Sequence, residues 1–212
     1  MLALLGLLAL AGCDTSPHQR PFPPQSGAIA QRAEERQCLA ALAERHAAFT
    51  PLPDQYTGPG CSALGTVHLY SLDGDSSAIA VGNLAQVGCP IANGFANWVR
   101  FGVDRAARQI LGSGLVRVET MGSYACRNIA GSDMRSAHAT ASAIDVSGFT
   151  LADGRRITVM GQWSAGSAEE RHFWRVIHAS ACKRFGTVLG PDYNLAHRNH
   201  LHIEMSATAF CR

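Results

Sequence analysis

The sequence predicts an α+β fold with a mainly antiparallel sheet flanked by helices. Three observations carry the fold class. Stretches with apolar residues at helical spacing alternate with short strand-like runs; several of those runs meet at tight turns such as Asp153-Gly154; and a hydrophobic content of 47% in 212 residues supplies a core for one sizeable domain. Charged residues make up only 16% and the formal charge is +2, which lacks the basic stripe of a nucleic-acid binder. No nucleic-acid partner is expected, and the chain is expected to act as a monomer.

The elements follow in chain order. Residues 1–13 (MLALLGLLALAGC) form an apolar run too short to span a bilayer and read as the core of a secretory signal. Its end, Leu10-Ala11-Gly12-Cys13, resembles a bacterial lipobox, which predicts lipid modification at Cys13 and an anchored, exported protein in the periplasm or cell envelope. A Pro-rich tether, residues 14–27, carries four of the nine prolines and leaves residues 28–212 as the domain. Helical spacing then runs from Ala28 to about Ala48, until Pro51, Pro53, Gly58, Pro59 and Gly60 break it. Thr66 to Leu72 and Ala78 to Leu84 read as strands around Asp73-Gly74, Ala92 to Leu111 as a long helix and Leu115 to Met121 as a strand. Ala143 to Leu151 and Arg155 to Met160 form a predicted hairpin about Asp153-Gly154. Ser167 to Phe185 is a third helix and Leu201 to Met205 a last strand.

Setting Cys13 aside, Cys38, Cys61, Cys89, Cys126, Cys182 and Cys211 remain, an even number that predicts three disulfides in an exported domain. Six cysteines allow 15 connectivities, and spacing does not choose among them. There is no CxxC pair, so a structural zinc knuckle is not expected.

The chemistry concentrates late in the chain. Three of nine histidines fall within six positions, His197, His200 and His202. Alternate residues of a strand face the same way, so His200 and His202 can converge on one point. Upstream, six residues separate His138 from Asp145, an acid set inside the apolar run of Ile144 and Val146. A carboxylate there is costly unless paired or coordinated. Two imidazoles and one carboxylate leave a fourth position open on zinc, the pattern of a reactive rather than a purely structural site.

The segment from Ser136 and His138 through Ala141 and Ala143 to Asp145, with His200-x-His202, resembles the S-x-H-x-x-G-x-A-x-D and H-x-H pattern of zinc D-alanyl-D-alanine peptidases, lysostaphin-type enzymes and hedgehog-like domains. More closely, the chain resembles the bacterial extensin-like C-terminal domain family. The similarity runs from Arg36 to Cys211 and rests on Ser123 to Arg127, His138 to Phe149, Asp153 to Arg155, Ala181-Cys182, and Phe185 to His202. Ala141 stands where the peptidase pattern has Gly, which a negative φ would accommodate.

The resemblance implies Zn2+ held by His138, Asp145 and His202, with His200 as general base, His197 orienting water or stabilising charge, and Arg127 binding a carboxylate or oxyanion. It points to a metallopeptidase of carboxypeptidase or endopeptidase type acting on D-alanyl bonds of peptidoglycan peptides. Glu204 shares the face of His202 if the strand continues, and Ser136 is read as a turn residue. Trp163, Phe173 and Trp174 are candidates for a cleft wall or for plain core. A zinc-stabilised wall-binding module without turnover is the alternative. A phosphodiesterase with paired His-x-Thr motifs is disfavoured, because only His138-Ala139-Thr140 fits.

Overall fold

The computed structural model describes residues 26–212, so the predicted signal, lipobox and most of the tether lie outside the described residues. The first helix, α1 (Ser26–Glu44), is followed by β1 (Ala48–Pro51), β2 (Gln55–Gly58), β3 (Cys61–Ala63), β4 (Thr66–Asp73), β5 (Ala78–Gly82) and β6 (Val87–Gly88). Then come α2 (Cys89–Trp98), β7 (Leu115–Gly122), β8 (Ala143–Leu151), β9 (Arg156–Thr158), α3 (Val159–Gln162), α4 (Ala168–Cys182), β10 (Thr187–Leu189), β11 (Leu201–Glu204) and β12 (Phe210–Cys211). The main sheet has ten strands in the order β1-β4-β5-β7-β8-β11-β10-β12, with β6 beside β4 and β9 beside β8. Its pairs are antiparallel except β5–β7 and β10–β12, which confirms a mixed α+β architecture with a mostly antiparallel sheet.

The parallel β5–β7 pair needs a long crossover, and α2 supplies it. Pro90 sits in its first turn, where a missing N–H costs nothing, and helical geometry continues in wider turns to Leu111, where Gly112 at φ 73 ends it. Ile91, Phe95, Trp98, Val99 and Val103 bury one stripe of this helix. The Trp98 indole donates to the Ile177 carbonyl at 3.2 Å and meets Phe149 and Phe185 edge-on. In α4 a capping box ties Ser167 to Glu170, and Phe173, Trp174, Ile177 and Ala181 face the same core.

Two expectations are corrected. The first helix stops at Glu44 rather than Ala48, because His46 turns at φ 53 and residues 48–51 pair with β4 instead. The hairpin's second strand ends at Thr158, whose hydroxyl caps α3, so Val159 and Met160 are helical. Of the two roles open to Trp163, Phe173 and Trp174, plain core is the one observed: they are 2%, 0% and 0% exposed.

Three disulfides are present, as expected, and join Cys38 to Cys89, Cys61 to Cys126 and Cys182 to Cys211. The first pins α1 to the start of α2, the second ties β3 to the loop after β7, and the third fastens β12 to α4. Among the described residues no helix is long and apolar enough to cross a membrane.

Candidate metal centre

Asp145 on β8 and His202 on β11 are direct cross-strand partners. The alternation that sends Ile144, Leu201 and Ile203 into the core turns these two side chains to the opposite face of the sheet. His138 reaches them from a 3-10 turn, Ala137–Thr140, where the Ser136 hydroxyl accepts the His138 N–H at 3.4 Å. Ser136 is therefore a turn residue. Ala141 closes the turn at φ 54, against the expected negative φ. Its N–H donates to the His138 carbonyl at 3.1 Å and its own carbonyl accepts from Gly88 at 2.9 Å; these bonds hold it in a conformation that glycine adopts without strain.

His138 Nε2, His202 Nδ1 and Asp145 Oδ1 form a close triangle. The imidazole nitrogens are 3.1 Å apart, and they lie 3.2 and 3.0 Å from the carboxylate oxygen. Ligands on a tetrahedral ion with bonds of about 2.0–2.1 Å would stand about 3.3 Å apart, so the triangle has nearly the right edge. These residues are 3%, 7% and 9% exposed, which leaves little water to solvate them.

The surroundings fix which nitrogen carries a proton. His138 Nδ1 faces the Ser123 carbonyl and donates to it, leaving an Nε2 lone pair. His202 Nε2 faces Glu204 Oε2 at 3.2 Å and donates to that carboxylate. In neutral His202 the remaining Nδ1 is then also a lone pair, so three lone pairs converge on one point and a positive charge must sit among them. Either a cation or a second proton on His202 meets this need. Burial works against charge on His202, but Asp145 and Glu204 outweigh it and raise its pKa to about 9. Burial likewise opposes charge on Asp145, yet the facing imidazoles of His138 and His202 hold its carboxyl well below the usual carboxylate range.

His200 and His197 flank the triangle. His200 Nε2 lies 3.6 Å from Asp145 Oδ1, while its Nδ1 is 2.9 Å from Asn199 Oδ1. His197 Nδ1 is 2.7 Å from Asn194 Oδ1, an oxygen that also accepts the Ala196 and His197 backbone N–H groups. Both imidazoles thus present Nε2 as an acceptor. Burial and the neighbouring histidines push His197 down to about 4, and burial also lowers His200, so both are neutral at pH 7. Arg127 is exposed and makes no ion pair among the described residues, yet its charge contributes to lowering both histidines. The structure thus groups His138, Asp145, His197, His200 and His202 around one point, with no direct contact from Arg127 among the described residues.

Sequence reasoning missed Ser123, Asn194 and Asn199. Ser123 acts through its carbonyl, for which no side-chain signal exists; the two asparagines were visible beside their histidines but carried no spacing rule. A second grouping, His178, Cys182 and Cys211, also has ligand-type atoms close together, with its sulfurs joined in a disulfide.

No curated protein and no solved structure matches the chain. A family model, described as extensin-like protein C-terminus, matches residues 36–212, which takes in all three disulfides and His138, Asp145 and His202. The chain belongs to the extensin-like protein C-terminus family.

Proposed function

We propose that this protein is an exported, zinc-dependent peptidase acting on peptidoglycan stem peptides or crosslinks at D-alanyl bonds. The observation that carries the metal is the convergence of three lone pairs from His138, Asp145 and His202, with their far sides held by Ser123 and Glu204. The donor set of two imidazoles and a carboxylate suits zinc and leaves a position for substrate.

Bound zinc would supply a Lewis acid that polarises the scissile carbonyl and makes water acidic enough to attack near pH 7. His200 has its Nδ1–H committed to Asn199 and its Nε2 free, so it accepts the proton of the attacking water and returns it to the leaving amine. His197 is held as an acceptor by Asn194, which suits it to orient that water rather than to donate to an oxyanion. Arg127, exposed and without an ion pair among the described residues, is the cation we assign to a substrate carboxylate. Three disulfides support an oxidising compartment, in keeping with the apolar leader and the lipid anchor proposed at Cys13.

The test is to purify the full chain from an oxidising compartment, count zinc, and incubate it with peptidoglycan and defined D-alanyl peptides. About one zinc per chain with new peptide products supports the peptidase. Zinc with retention on the wall but no products would replace it by the binding module, and failure to take up zinc would end both readings.

A further inference from the structure

We propose that His178, Cys182 and Cys211 form a second metal site, opened by reduction of the Cys182–Cys211 disulfide and suited to a thiophilic divalent cation such as zinc. His178 and Cys182 are one turn apart on α4, which places them on one face, and Cys211 comes from β12 beside them. One ligand-type atom from each lies within 4.8 Å of the others.

The histidine is already turned for this role. His178 Nε2 lies 3.3 Å from the Arg212 carbonyl and donates to it, which leaves Nδ1 as the lone pair. That Nδ1 is the atom 3.9 Å from Cys182 Sγ. A nitrogen and a sulfur on one tetrahedral zinc, at bond lengths of about 2.0 and 2.3 Å, would be about 3.5 Å apart. The Trp163 ring stands edge-on to the imidazole at 5.6 Å and limits its rotation. Burial keeps His178 below its ordinary pKa, so the ring is neutral at pH 7.

Opening the disulfide leaves Cys211 in place. The Phe210 N–H donates to the Gly186 carbonyl at 2.8 Å, the Arg212 N–H to Val188 at 3.0 Å, and the Gly190 N–H to Arg212 at 2.8 Å. None of these bonds involves sulfur. Cys211 is exposed and Cys182 half-buried, so neither half of this bridge lies in the core, whereas Cys89 at 1% and Cys61 at 2% bury one half of each of the other two, Cys126 being exposed as well. Both sulfurs of this bridge are therefore open to a thiol reductant. Two molecules of a monothiol break the S–S bond, leave as their own disulfide and yield two protein thiols. The cation then binds both sulfurs as thiolates and the two thiol protons pass to buffer.

Cobalt(II) is the probe, added to the full-length chain after limited reduction with a small thiol, with alkylation and peptide mass mapping to identify the opened bridge. Cys182 and Cys211 should be labelled first, and one equivalent of cobalt should then give a thiolate-to-cobalt charge-transfer band, which the sulfur-free centre at His138, Asp145 and His202 does not produce. The C182S/C211S double variant should lose the band, and H178A and H178Q should weaken cobalt binding by about tenfold or more while far-ultraviolet circular dichroism stays unchanged. No band from wild-type chain whose Cys182 and Cys211 are shown reduced overturns the proposal. So does a band that persists in C182S/C211S, or cobalt affinity unchanged in both His178 variants.

Discussion

Glu204 Oε2 stands 3.2 Å from Nε2 of His202 and so decides which nitrogen of that ring faces Asp145. The two residues are i and i+2 on β11 and share a face, which is how a residue at the end of a short strand reaches the far side of a metal-ligand candidate. Losing this partner should weaken metal binding without unfolding the protein. For E204A we expect zinc affinity to fall about 10- to 100-fold, measured by chelator competition, with thermal stability of the metal-free form little changed. Unaltered affinity would show that Glu204 does not orient the ligand.

Metal binding should be steeply pH-dependent. His202 titrates near 9 in the metal-free fold, and a ligand nitrogen must be unprotonated, so binding below that pH displaces one proton from it. Zinc affinity should fall about tenfold per unit as pH drops from 9 toward 7, while Asp145, held well below the usual range, contributes no further proton. Calorimetry at pH 7.5 in buffers of different ionisation enthalpy should report about one proton released.

The same residue shapes the stability of the metal-free protein. Its pKa is raised from 6.5 to about 9 by folding, so its stabilising share is complete below pH 6.5 and is lost as pH rises through 9. The share is on the order of 3 kcal/mol, which should appear as a falling denaturation midpoint between pH 7 and 9. Saturating zinc should remove that decline, since the cation replaces the proton.

Removing individual histidines should separate holding the metal from moving a proton. H202A should lose zinc, whereas H200A should retain it and lose about 10²- to 10⁴-fold in hydrolysis. Zinc content by atomic emission alongside peptide release by mass spectrometry provides both readings. Equal loss of zinc in the two variants would overturn the division of roles.

Stability away from the site rests on Asp104, which is 0% exposed. It accepts the Leu115 N–H at 2.8 Å, the Asp75 N–H at 3.2 Å and a hydrogen bond from Arg108 Nε at 3.1 Å, joining α2's extension to the start of β7 and to the β4–β5 turn. D104A leaves two backbone donors without their acceptor and should cost about 2–4 kcal/mol. Urea unfolding should show a lower midpoint with an unchanged slope.

What the sequence disclosed was local. The helical spacing after Ser167, the Asp153-Gly154 turn and the apolar run around Asp145 are written in neighbouring residues, and α4, β8 and β9 follow from them. Strands β6, β10 and β12, of two or three residues, have no period long enough to read, and they exist because a partner elsewhere accepts their hydrogen bonds. The turn to β1 at His46 depends on a positive φ that nothing in its side chain announces. The site was legible as residue types, through His138, Asp145 and the His200-x-His202 pair. Its proton arrangement was not, because the Ser123 carbonyl that fixes His138 belongs to the backbone.

Asp145 and His202 touch across adjacent strands but are separated by 57 residues, and His138 precedes His202 by 64. A chain emerging from its N-terminus therefore displays two of the three ligands long before the third is made. The triangle is a late event in biosynthesis, completed only when β11 docks beside β8. A fragment that stops short of Leu201 would carry His138 and Asp145 without the strand that closes the triangle, so any cation bound there would report that β11 had been made and paired.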